Sequence, residues 1–354
     1  MTGMGKTTKK VSVGGVVIGG GERIKIQSMT TTKTADIPVT LAQIDALQKA
    51  GCDIVRVAIV DEADACAVKA LRAQCNVPIV ADIHFSPRLA VLAIENGAHK
   101  VRINPGNIGG EQEIKRVADC IKAHNIPVRV GANTGSIEKT FLEKYGRTEH
   151  ALIESALYNV GLLEKFGVDD IVISVKASDV PLTVKAYTLL SGKTDYPLHL
   201  GVTEAGTTES GVVKSAVGIG SLLLNGIGDT VRVSLTDDPV QEIYAAQQIL
   251  RACGLDENFV EVVACPTCGR CEWDSMALAG KVSDFVRKYK KKAKLAVMGC
   301  VVNGPGEAKD ADLGIAGGKG ACLLFKKGEV YKKVSAKDAE KEFFKEIVLL
   351  LDGE

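Results

Sequence analysis

The sequence has few aromatic residues, no long apolar run and almost no net charge. Phe, Tyr and Trp make up 5% of the 354 residues, and the formal net charge is +1. A charge this close to zero gives no whole-molecule argument for binding nucleic acid or membrane, so any anion site must be a local cluster of cations. No apolar segment approaches the roughly 20 residues that span a bilayer. We therefore predict neither a nucleic-acid nor a membrane partner.

The first residues also lack a secretory signal. They read MTGMGKTTKKVSV, without the long apolar core of such a signal, and this predicts a cytoplasmic location. The chain nevertheless has ten cysteines. In a reducing compartment these favour free thiols and metal ligation over disulfides.

The first part of the chain repeats one pattern, in which a short apolar strand is followed by a polar loop and an amphipathic stretch with helix period. The candidate strands are Ile24–Ser28, Asp53–Ala58, Pro78–Ile83, Lys100–Ile103, Pro127–Gly131, Asp170–Lys176, Pro197–Val202 and Thr230–Leu235. Eight strand–helix units in about 250 residues are typical of a closed (β/α)8 TIM-like barrel. An open, doubly wound sheet is the alternative, because a sequence cannot show closure.

The pattern changes near Asn258, where cysteine motifs appear and the strand–helix repeat shortens. We predict an α/β protein in which residues 1–257 form the barrel and residues 258–354 form a smaller α+β domain. Within the second domain, Lys281–Lys294 is predicted to form a basic helix with a solvated lysine face.

Positive charges recur at the carboxyl ends of five candidate strands, where barrel enzymes place their active sites. They are Arg56 in IVRVA, Arg102 in VRINPGN, Arg129 in VRVGAN, Lys176 in SVKAS and Arg232 in VRVSL. A cation inside an apolar strand is costly to bury unless it is paired or faces a polar cavity, and we find no matching set of strand carboxylates. Guanidinium groups suit phosphate oxygens. The pattern predicts a cationic pocket for a small molecule with several negative charges, such as a diphosphate.

Polar residues close to these cations complete the candidate site. The predicted substrate-binding residues are His84, Asn104, Asn133, Ser178, His199 and Ser234, together with the five cations. The glycine-rich stretches 131–135 and 201–206 would let backbone amides approach the ligand. Glu204 is the candidate proton donor or electrostatic stabiliser. On position alone, a salt bridge that neutralises an arginine is the preferred interpretation of Glu204.

The cysteines of the second domain are spaced as metal ligands. Cys265-Pro-Thr-Cys268 is followed by Gly-Arg-Cys271, and Cys300 lies in MGCVVNGPGEA. A C-x-x-C turn brings two thiolates to a common centre, and both zinc and iron–sulfur clusters accept such ligands. Structural zinc sites usually have a second C-x-x-C pair, whereas here the distal segment has a single cysteine. Glycines around that cysteine would let the chain wrap a bulky cluster.

Two groups of motifs, one in each predicted domain, point to a known family. They are ACPTCGR with VMGCVVNGPGEAKDADLGIAGG, and the barrel motifs IQSMTTTKTAD, VRVA, ADIHF, VRINPGN, VRVGAN and VRVSLT. Together they resemble the 4-hydroxy-3-methylbut-2-enyl diphosphate synthase family of the methylerythritol phosphate route to isoprenoids, over nearly the whole chain. The resemblance implies an iron–sulfur reductase that opens the ring of 2-C-methylerythritol 2,4-cyclodiphosphate and removes a hydroxyl with two electrons.

The same resemblance implies a cofactor, ligands and partners. The cofactor is a [4Fe–4S] cluster held by Cys265, Cys268, Cys300 and Glu307, with Cys271 outside the ligand set. The phosphates would bind among the five strand-end cations, and Glu204 would take part in acid–base chemistry. Flavodoxin or ferredoxin is the implied electron donor. The implied assembly is a head-to-tail homodimer in which each cluster domain caps the barrel of its partner.

Two alternatives follow from the residues themselves. One is a zinc-stabilised barrel that binds a phosphate ligand without redox activity. The other is an aldolase-like lyase, for which Lys176 is the Schiff-base candidate among the strand-end residues.

Overall fold

The computed structural model describes residues 7–301 and 304–353. The chain divides into two compact units, the first ending at Leu255 and the second beginning at Asp256. The predicted division lay between residues 257 and 258. Within the described ranges, no helix is both long and apolar enough to cross a membrane.

The first unit is a parallel barrel preceded by a short hairpin. The hairpin pairs β1 (Val11–Val13) with β2 (Val16–Ile18), and the barrel strands are β3 (Lys25–Met29), β4 (Ile54–Ala58), β5 (Ile79–Asp82), β6 (Lys100–Ile103), β7 (Val128–Asn133), β8 (Ile171–Lys176), β9 (His199–Leu200) and β10 (Thr230–Val231). The sheet order is β8-β7-β6-β5-β4-β3-β10-β9. A parallel bridge between Ile173 and Leu198 joins its two ends. The predicted closed barrel is therefore confirmed, and the open doubly wound sheet is wrong.

The closure between β8 and β9 combines backbone bonds with one side chain. The N–H of Ile173 donates to the carbonyl of Pro197 (2.9 Å), and the N–H of Thr203 donates to the carbonyl of Ala177 (3.1 Å). Beyond the bridge at Ile173, the N–H of Val175 donates to the hydroxyl of Tyr187 (3.2 Å), which donates to the carbonyl of His199 (2.5 Å). Tyr187 is fully buried. We call this junction the β8–β9 seam. The Tyr187 hydroxyl thus replaces a direct backbone bond between Val175 and His199, and β9 is shorter than the predicted strand Pro197–Val202.

Ten helices surround or connect the strands of this unit in the described residues. They are α1 (Ile37–Ala50), α2 (Glu62–Gln74), α3 (Pro87–Glu95), α4 (Pro105–Ile108), α5 (Glu111–Ala123), α6 (Lys139–Tyr145), α7 (Glu149–Glu164), α8 (Val180–Ser191), α9 (Thr208–Leu224) and α10 (Pro239–Ala252). Capping residues set the ends of these helices. Ser86 Oγ accepts from the Leu89 N–H at the start of α3, and Gly51 ends α1 with a φ of 102°. The Ser86 cap fixes the start of α3, which follows the loop at the carboxyl end of β5.

The barrel is filled differently at its two ends. At the amino end, the apolar side chains of the hairpin pack against inward-facing strand residues, in a cluster formed by Val11, Val13, Ile18, Ile54, Val80 and Val172. The carboxyl end has polar and charged side chains instead. The hairpin was not predicted, and it closes the end of the barrel away from the candidate site.

The second unit is a mixed five-stranded sheet with helices. Its elements are β11 (Val260–Ala264), α11 (Ser275–Val286), β12 (Ala293–Met298), α12 (Gly304–Glu307), β13 (Leu313–Gly318), β14 (Ala321–Lys326), β15 (Glu329–Ser335) and α13 (Ala339–Asp352). The strands lie in sequence order, with β11, β12 and β13 parallel and the rest antiparallel. The predicted α+β fold is confirmed.

The predicted helix Lys281–Lys294 is wrong. Helix α11 ends at Val286, and the chain re-enters the sheet as β12 at Ala293. Leu295 and Val297 alternate along β12 and are both fully buried in the core of this unit. Ala296 and Met298 are also buried, in a second apolar cluster, so both faces of the strand are covered. A short continuous apolar run of this kind is typical of a fully buried strand.

Candidate functional site

The register of the barrel brings the predicted cations together. Asp82 on β5 is opposite Arg102 on β6, and Arg102 is opposite Arg129 on β7. Asn133 on β7 is opposite Lys176 on β8. Because residues two apart on a strand face the same side of the sheet, these side chains enter the barrel interior near its carboxyl end.

Asp82 contacts three other side chains of this cluster. Its carboxylate lies 3.2 Å from Arg102 Nη1, 3.6 Å from Arg56 Nε and 3.6 Å from His84 Nε2. Burial opposes the charged form of this carboxylate. The neighbouring groups, with Arg56 the strongest, outweigh burial and hold the pKa of Asp82 well below its usual range. Asp82 therefore stays ionised and orients two of the predicted arginines.

Two of the cations have no such counter-ion. Within the described part of the chain, no carboxylate is within ion-pair distance of Arg129 or Lys176, and Arg129 Nε and Nη1 have no hydrogen-bond partner. Burial and then repulsion from Arg56 lower the pKa of Arg129. Burial and then repulsion from Arg129 lower the pKa of Lys176. Among the described residues, Arg129 and Lys176 are therefore buried without a carboxylate as ion-pair partner.

The glycines of the site make room for these side chains. A Cβ on Gly131 would lie 2.8 Å from Arg102 Nε, and a Cβ on Gly201 would collide with Lys176 Nζ. At both glycines the nearest neighbour of such a Cβ is a cation of the site. The approach of their backbone amides to a ligand stays a prediction.

Arg232 is paired with a residue that the sequence analysis missed. Its Nη2 and Nε lie 3.0 and 3.2 Å from the carboxylate of Glu242, and its Nη1 donates to Ser234 Oγ (2.7 Å). Glu242 is buried on α10 and also accepts from Ser28 Oγ (2.8 Å). A glutamate on the apolar face of a helix was the signal that could have revealed it. The five predicted cations thus face two carboxylates, Asp82 and Glu242, which leaves an excess of positive charge.

The other candidate side chains differ in how deeply they are buried. His199 is fully buried, with Nδ1 at 2.6 Å from Thr230 Oγ1, and burial followed by repulsion from Lys176 lowers the pKa of its imidazole. Asn104 is also buried, and neither atom of its amide has a described partner. Asn133 and Ser234 are half-buried, whereas His84, Ser178 and Glu204 are exposed at the mouth or in the loops beyond it.

Sequence reasoning missed two further polar side chains inside the barrel. Lys100 and Gln27 are buried, and Lys100 Nζ and both amide atoms of Gln27 lack a described hydrogen-bond partner. Lys100 has the same parity as Arg102 on β6. That parity, two residues before a predicted pocket arginine, could have identified it.

We expect Arg102→Ala and Arg232→Ala to weaken binding of a phosphate ligand by about 1.5–3 kcal/mol, or roughly ten- to more than a hundredfold. Their effects on stability should differ. Arg102→Ala leaves Asp82 beside Arg56, whereas Arg232→Ala leaves Glu242 buried without its cation, at a cost of about 3 kcal/mol. Calorimetric titration and thermal unfolding of both variants measure the two effects. Unchanged ligand affinity in both would contradict the pocket assignment.

Glu204 has an unusual backbone conformation. Its φ is 53°, in the left-handed region, which costs a residue other than glycine about 1–2 kcal/mol. We expect Glu204→Gly to remove this cost, offset by roughly 1 kcal/mol of extra unfolded-state entropy, so the melting temperature should stay near that of the wild type. If the carboxyl group transfers a proton, kcat should fall by about a hundredfold or more. Glu204→Gln is the matched control for the backbone, and full activity in both variants would exclude the role.

The cysteines of the second unit lie at one edge of its sheet. Cys265 follows β11 and Cys300 follows β12, and these parallel neighbours end on the same side. The N–H of Gly299 donates to Cys265 Sγ (3.0 Å), and a Cβ on Gly299 would lie 3.1 Å from the sulfurs of both Cys265 and Cys271. The predicted ligands Cys265 and Cys300 are thus brought to one edge, with Cys271 beside Cys265.

The remaining candidate ligands are exposed near this edge. Cys268 is exposed, and hydrogen bonds from the backbone and side chain of Arg270 lower the pKa of its thiol. Glu307 is exposed at the end of α12. A cavity of about 260 Å³ opens beside Cys268 and Cys271.

The described thiols do not form a single-ion site. In residues 7–301 and 304–353, no three His, Cys, Asp or Glu side chains are arranged to hold one metal ion. Structural zinc needs four ligands around one ion. A cluster spreads its irons over a larger volume, and its thiolates come from separate positions.

Comparison with known proteins identifies the family. The GcpE TIM-barrel domain matches residues 8–247, and the GcpE protein C-terminal domain matches residues 261–348. The chain belongs to the GcpE family. A relative from Caldanaerobacter subterraneus is 55% identical over 100% of both chains, and one from Clostridium perfringens is 53% identical over 96% of this chain and 98% of its own. Both are named 4-hydroxy-3-methylbut-2-en-1-yl diphosphate synthase (flavodoxin). The predicted resemblance is confirmed.

A solved structure supports the fold of the GcpE barrel. The truncated 3-deoxy-D-arabino-heptulosonate 7-phosphate synthase from Thermotoga maritima superposes with a TM-score of 0.52, covering 70% of this chain and 94% of that one. The two sequences are 12% identical. This likeness concerns the barrel fold alone.

Proposed function

We propose that this protein is a 4-hydroxy-3-methylbut-2-enyl diphosphate synthase. It converts 2-C-methyl-D-erythritol 2,4-cyclodiphosphate to 4-hydroxy-3-methylbut-2-enyl diphosphate by a two-electron reduction. The observation that carries the proposal is the barrel mouth with its excess of positive charge, in a chain of the GcpE family. The names of the relatives support the same reaction, and neither the zinc-stabilised binding barrel nor the Lys176 lyase has comparable support.

The strand-end cations bind the two phosphates. A cyclodiphosphate supplies the negative charge that Arg129 and Lys176 lack, and Asp82 holds Arg56 and Arg102 in position for it. Paired guanidinium groups match phosphate oxygens, and the buried setting strengthens each contact. The other polar side chains of the site then bind hydroxyl and phosphate oxygens and fix the orientation of the ring; they are His84, Asn104, Asn133, Ser178, His199 and Ser234.

Glu204 acts as the proton donor or as an electrostatic stabiliser. Removal of a hydroxyl is easier when the oxygen leaves as water, which requires a proton at that oxygen. Glu204 lies in the loop after β9, and its strained backbone holds the carboxyl group at the mouth side of the barrel.

The residues of the second unit would hold a [4Fe–4S] cluster. Cys265, Cys268, Cys300 and Glu307 are the proposed ligands, and the cluster when bound would supply the electrons. The donor set supports this, because thiols from two parallel strand ends meet at one edge and Gly299 leaves space and an N–H for the sulfurs. Cys271 donates its thiol hydrogen to the carbonyl of Trp273 (3.1 Å), an arrangement that suits a residue outside the ligand set.

The proposed partners follow from the relatives and the resemblance. The printed name of the relatives supports flavodoxin as electron donor, with ferredoxin as a second candidate. We also propose a head-to-tail homodimer, in which the cluster of one protomer serves the barrel of its partner.

Anaerobic turnover tests the reaction. Protein purified without oxygen should be brown with broad visible absorbance, and it should convert the cyclodiphosphate to the linear diphosphate when given a strong one-electron reductant. Absence of product from protein with a full content of iron and sulfide would refute the proposed activity. Colourless protein with stoichiometric zinc would refute the cofactor.

A further inference from the structure

Asn104 stands where a helix cap is expected, but it does not act as one. It is the N-cap residue of α4, and asparagine in this position usually accepts a hydrogen bond from the second or third N–H of the helix. Here its side chain makes no cap bond, and within the described residues neither Nδ2 nor Oδ1 has a partner. The residue is 3% exposed. An amide buried in this way is costly unless a ligand or water satisfies it.

The capping bond comes instead from α7. The N–H of Gly106, which Asn104 would otherwise satisfy, donates to Asn159 Oδ1 (2.5 Å). Asn159 is fully buried, and its Nδ2 donates to Glu138 Oε1 (2.7 Å) and to the carbonyl of Ser155 (2.8 Å). Every hydrogen-bonding atom of the Asn159 amide is therefore engaged, and its orientation is unambiguous.

This arrangement ties together two loops of the candidate site. Gly106 follows β6, which ends just before Asn104, and Glu138 follows β7, which ends at Asn133. A Cβ on Gly106 would lie 2.6 Å from Glu138 Oε1 and 3.1 Å from Asn159 Oδ1. The glycine thus permits close contact between the loops, and Asn159 joins them by hydrogen bonds.

The direction of Asn104 follows from the strand. Arg102 and Asn104 are two residues apart, so the extended backbone places both on the inner side of the barrel. Arg102 contacts Asp82 in the cationic cluster. The unpartnered amide of Asn104 therefore lies on the side of the barrel wall that faces the cationic pocket.

We propose that Asn159 is a positioning residue: by capping α4 from the helical layer, it releases the Asn104 amide to bind the substrate. The inference rests on the proposed function, because the group that Asn104 binds is an oxygen of the cyclodiphosphate. Without the side-chain carbonyl of Asn159, the side chain of Asn104 rotates to accept from the Gly106 N–H. Asn104 is then an ordinary N-cap residue, and its amide no longer faces the pocket.

Substrate affinity gives the first test. We expect Asn104→Ala and Asn159→Leu each to weaken calorimetrically measured binding of the cyclodiphosphate by about tenfold, and the double variant to be no weaker than Asn104→Ala alone. Asn159→Asp keeps the oxygen that accepts from Gly106 but places a second carboxylate beside that of Glu138. It should therefore lower the melting temperature while affinity stays near that of the wild type. Additive losses, or equal loss of affinity in the Asp and Leu variants, would overturn the proposal.

A variant at the opposite end of the barrel controls for stability. The hydroxyl of Tyr196 donates to Glu164 Oε1 (2.8 Å) before β9 begins. Tyr196→Phe should lower the melting temperature without changing affinity. If it weakened binding as Asn159→Leu does, the effect of Asn159 would reduce to general destabilisation.

Hydrogen exchange at Gly106 gives a test that needs no substrate. With 15N-glycine labelling, the Gly106 amide should be protected in the wild type, in Asn104→Ala and in Asn159→Leu, where Asn104 takes over the cap. Protection should be lost only in the double variant. An unprotected Gly106 in Asn159→Leu would refute the exchange of caps. A wild type that neither binds nor reduces the cyclodiphosphate would refute the proposed function instead, and the exchange pattern would still decide whether Asn159 frees Asn104.

Discussion

Cys300→Ser protein is expected to purify colourless and inactive, whereas Cys271→Ser protein keeps its colour, its iron and its activity. The two residues are suited to a matched comparison because both thiols are half-buried in the same unit. Serine is a far poorer ligand for iron than a thiolate, and loss of one ligand leaves the cluster with too few attachments. The thiol of Cys271 is engaged with Trp273, so its removal costs at most a weak hydrogen bond.

Iron and sulfide analysis, visible absorbance and turnover measure this prediction together. Thermal unfolding of the metal-free proteins shows whether both variants fold equally well. Retention of the full cluster in Cys300→Ser, or its loss in Cys271→Ser with folding intact, would show that the ligand set is misassigned.

Two inactive variants are expected to restore activity when they share a dimer. In the proposed head-to-tail assembly, a Cys300→Ser chain offers an intact barrel and a Glu204→Gln chain offers an intact cluster, so their mixed dimer has one complete site. Random mixing makes about half of the dimers mixed, with one good site in two, so activity should reach roughly a quarter of the wild-type value under two-fold symmetry. If each chain used its own cluster, every site would carry one lesion.

The experiment requires proof that mixed dimers form. Two different affinity tags on the co-expressed chains allow tandem purification of the mixed species, whose activity is then compared with that of each variant alone. Activity no higher than the separate variants, in a sample shown to be mixed, would rule out a shared site.

The strands of the barrel could be predicted because each combines apolar residues with a turn at its end. The predicted positions of all eight coincide with strands, although β10 ends at Val231, short of the predicted Leu235. The hairpin was missed because its strands, Val11–Val13 and Val16–Ile18, are too short to show a period. The predicted helix through Lys294 is wrong because the lysine-rich stretch leads into a short apolar run, Leu295–Met298, that is buried on both faces as a strand.

The cations of the pocket could be predicted better than their ion-pair partners. Five cations at strand ends could be read directly, since strand position fixes where a side chain goes in a barrel. The partner of Arg232 is Glu242, whose place on the apolar face of α10 indicates burial but does not identify Arg232 as its partner. The roles of Asn104 and Asn159 depend on contacts across 53 positions between Gly106 and Asn159. Such contacts leave no local trace in a single sequence.

The β8–β9 seam has a consequence for how the barrel moves. Between the backbone bonds at Ile173 and Ala177, the two strands are joined through the Tyr187 side chain, and this stretch opens locally at a lower free energy than an unbroken ladder of backbone bonds. Lys176 ends the strand on one side of the seam, and Glu204 follows the strand on the other. Local opening of this stretch would therefore change the distance between the proposed phosphate ligand Lys176 and the proposed proton donor Glu204.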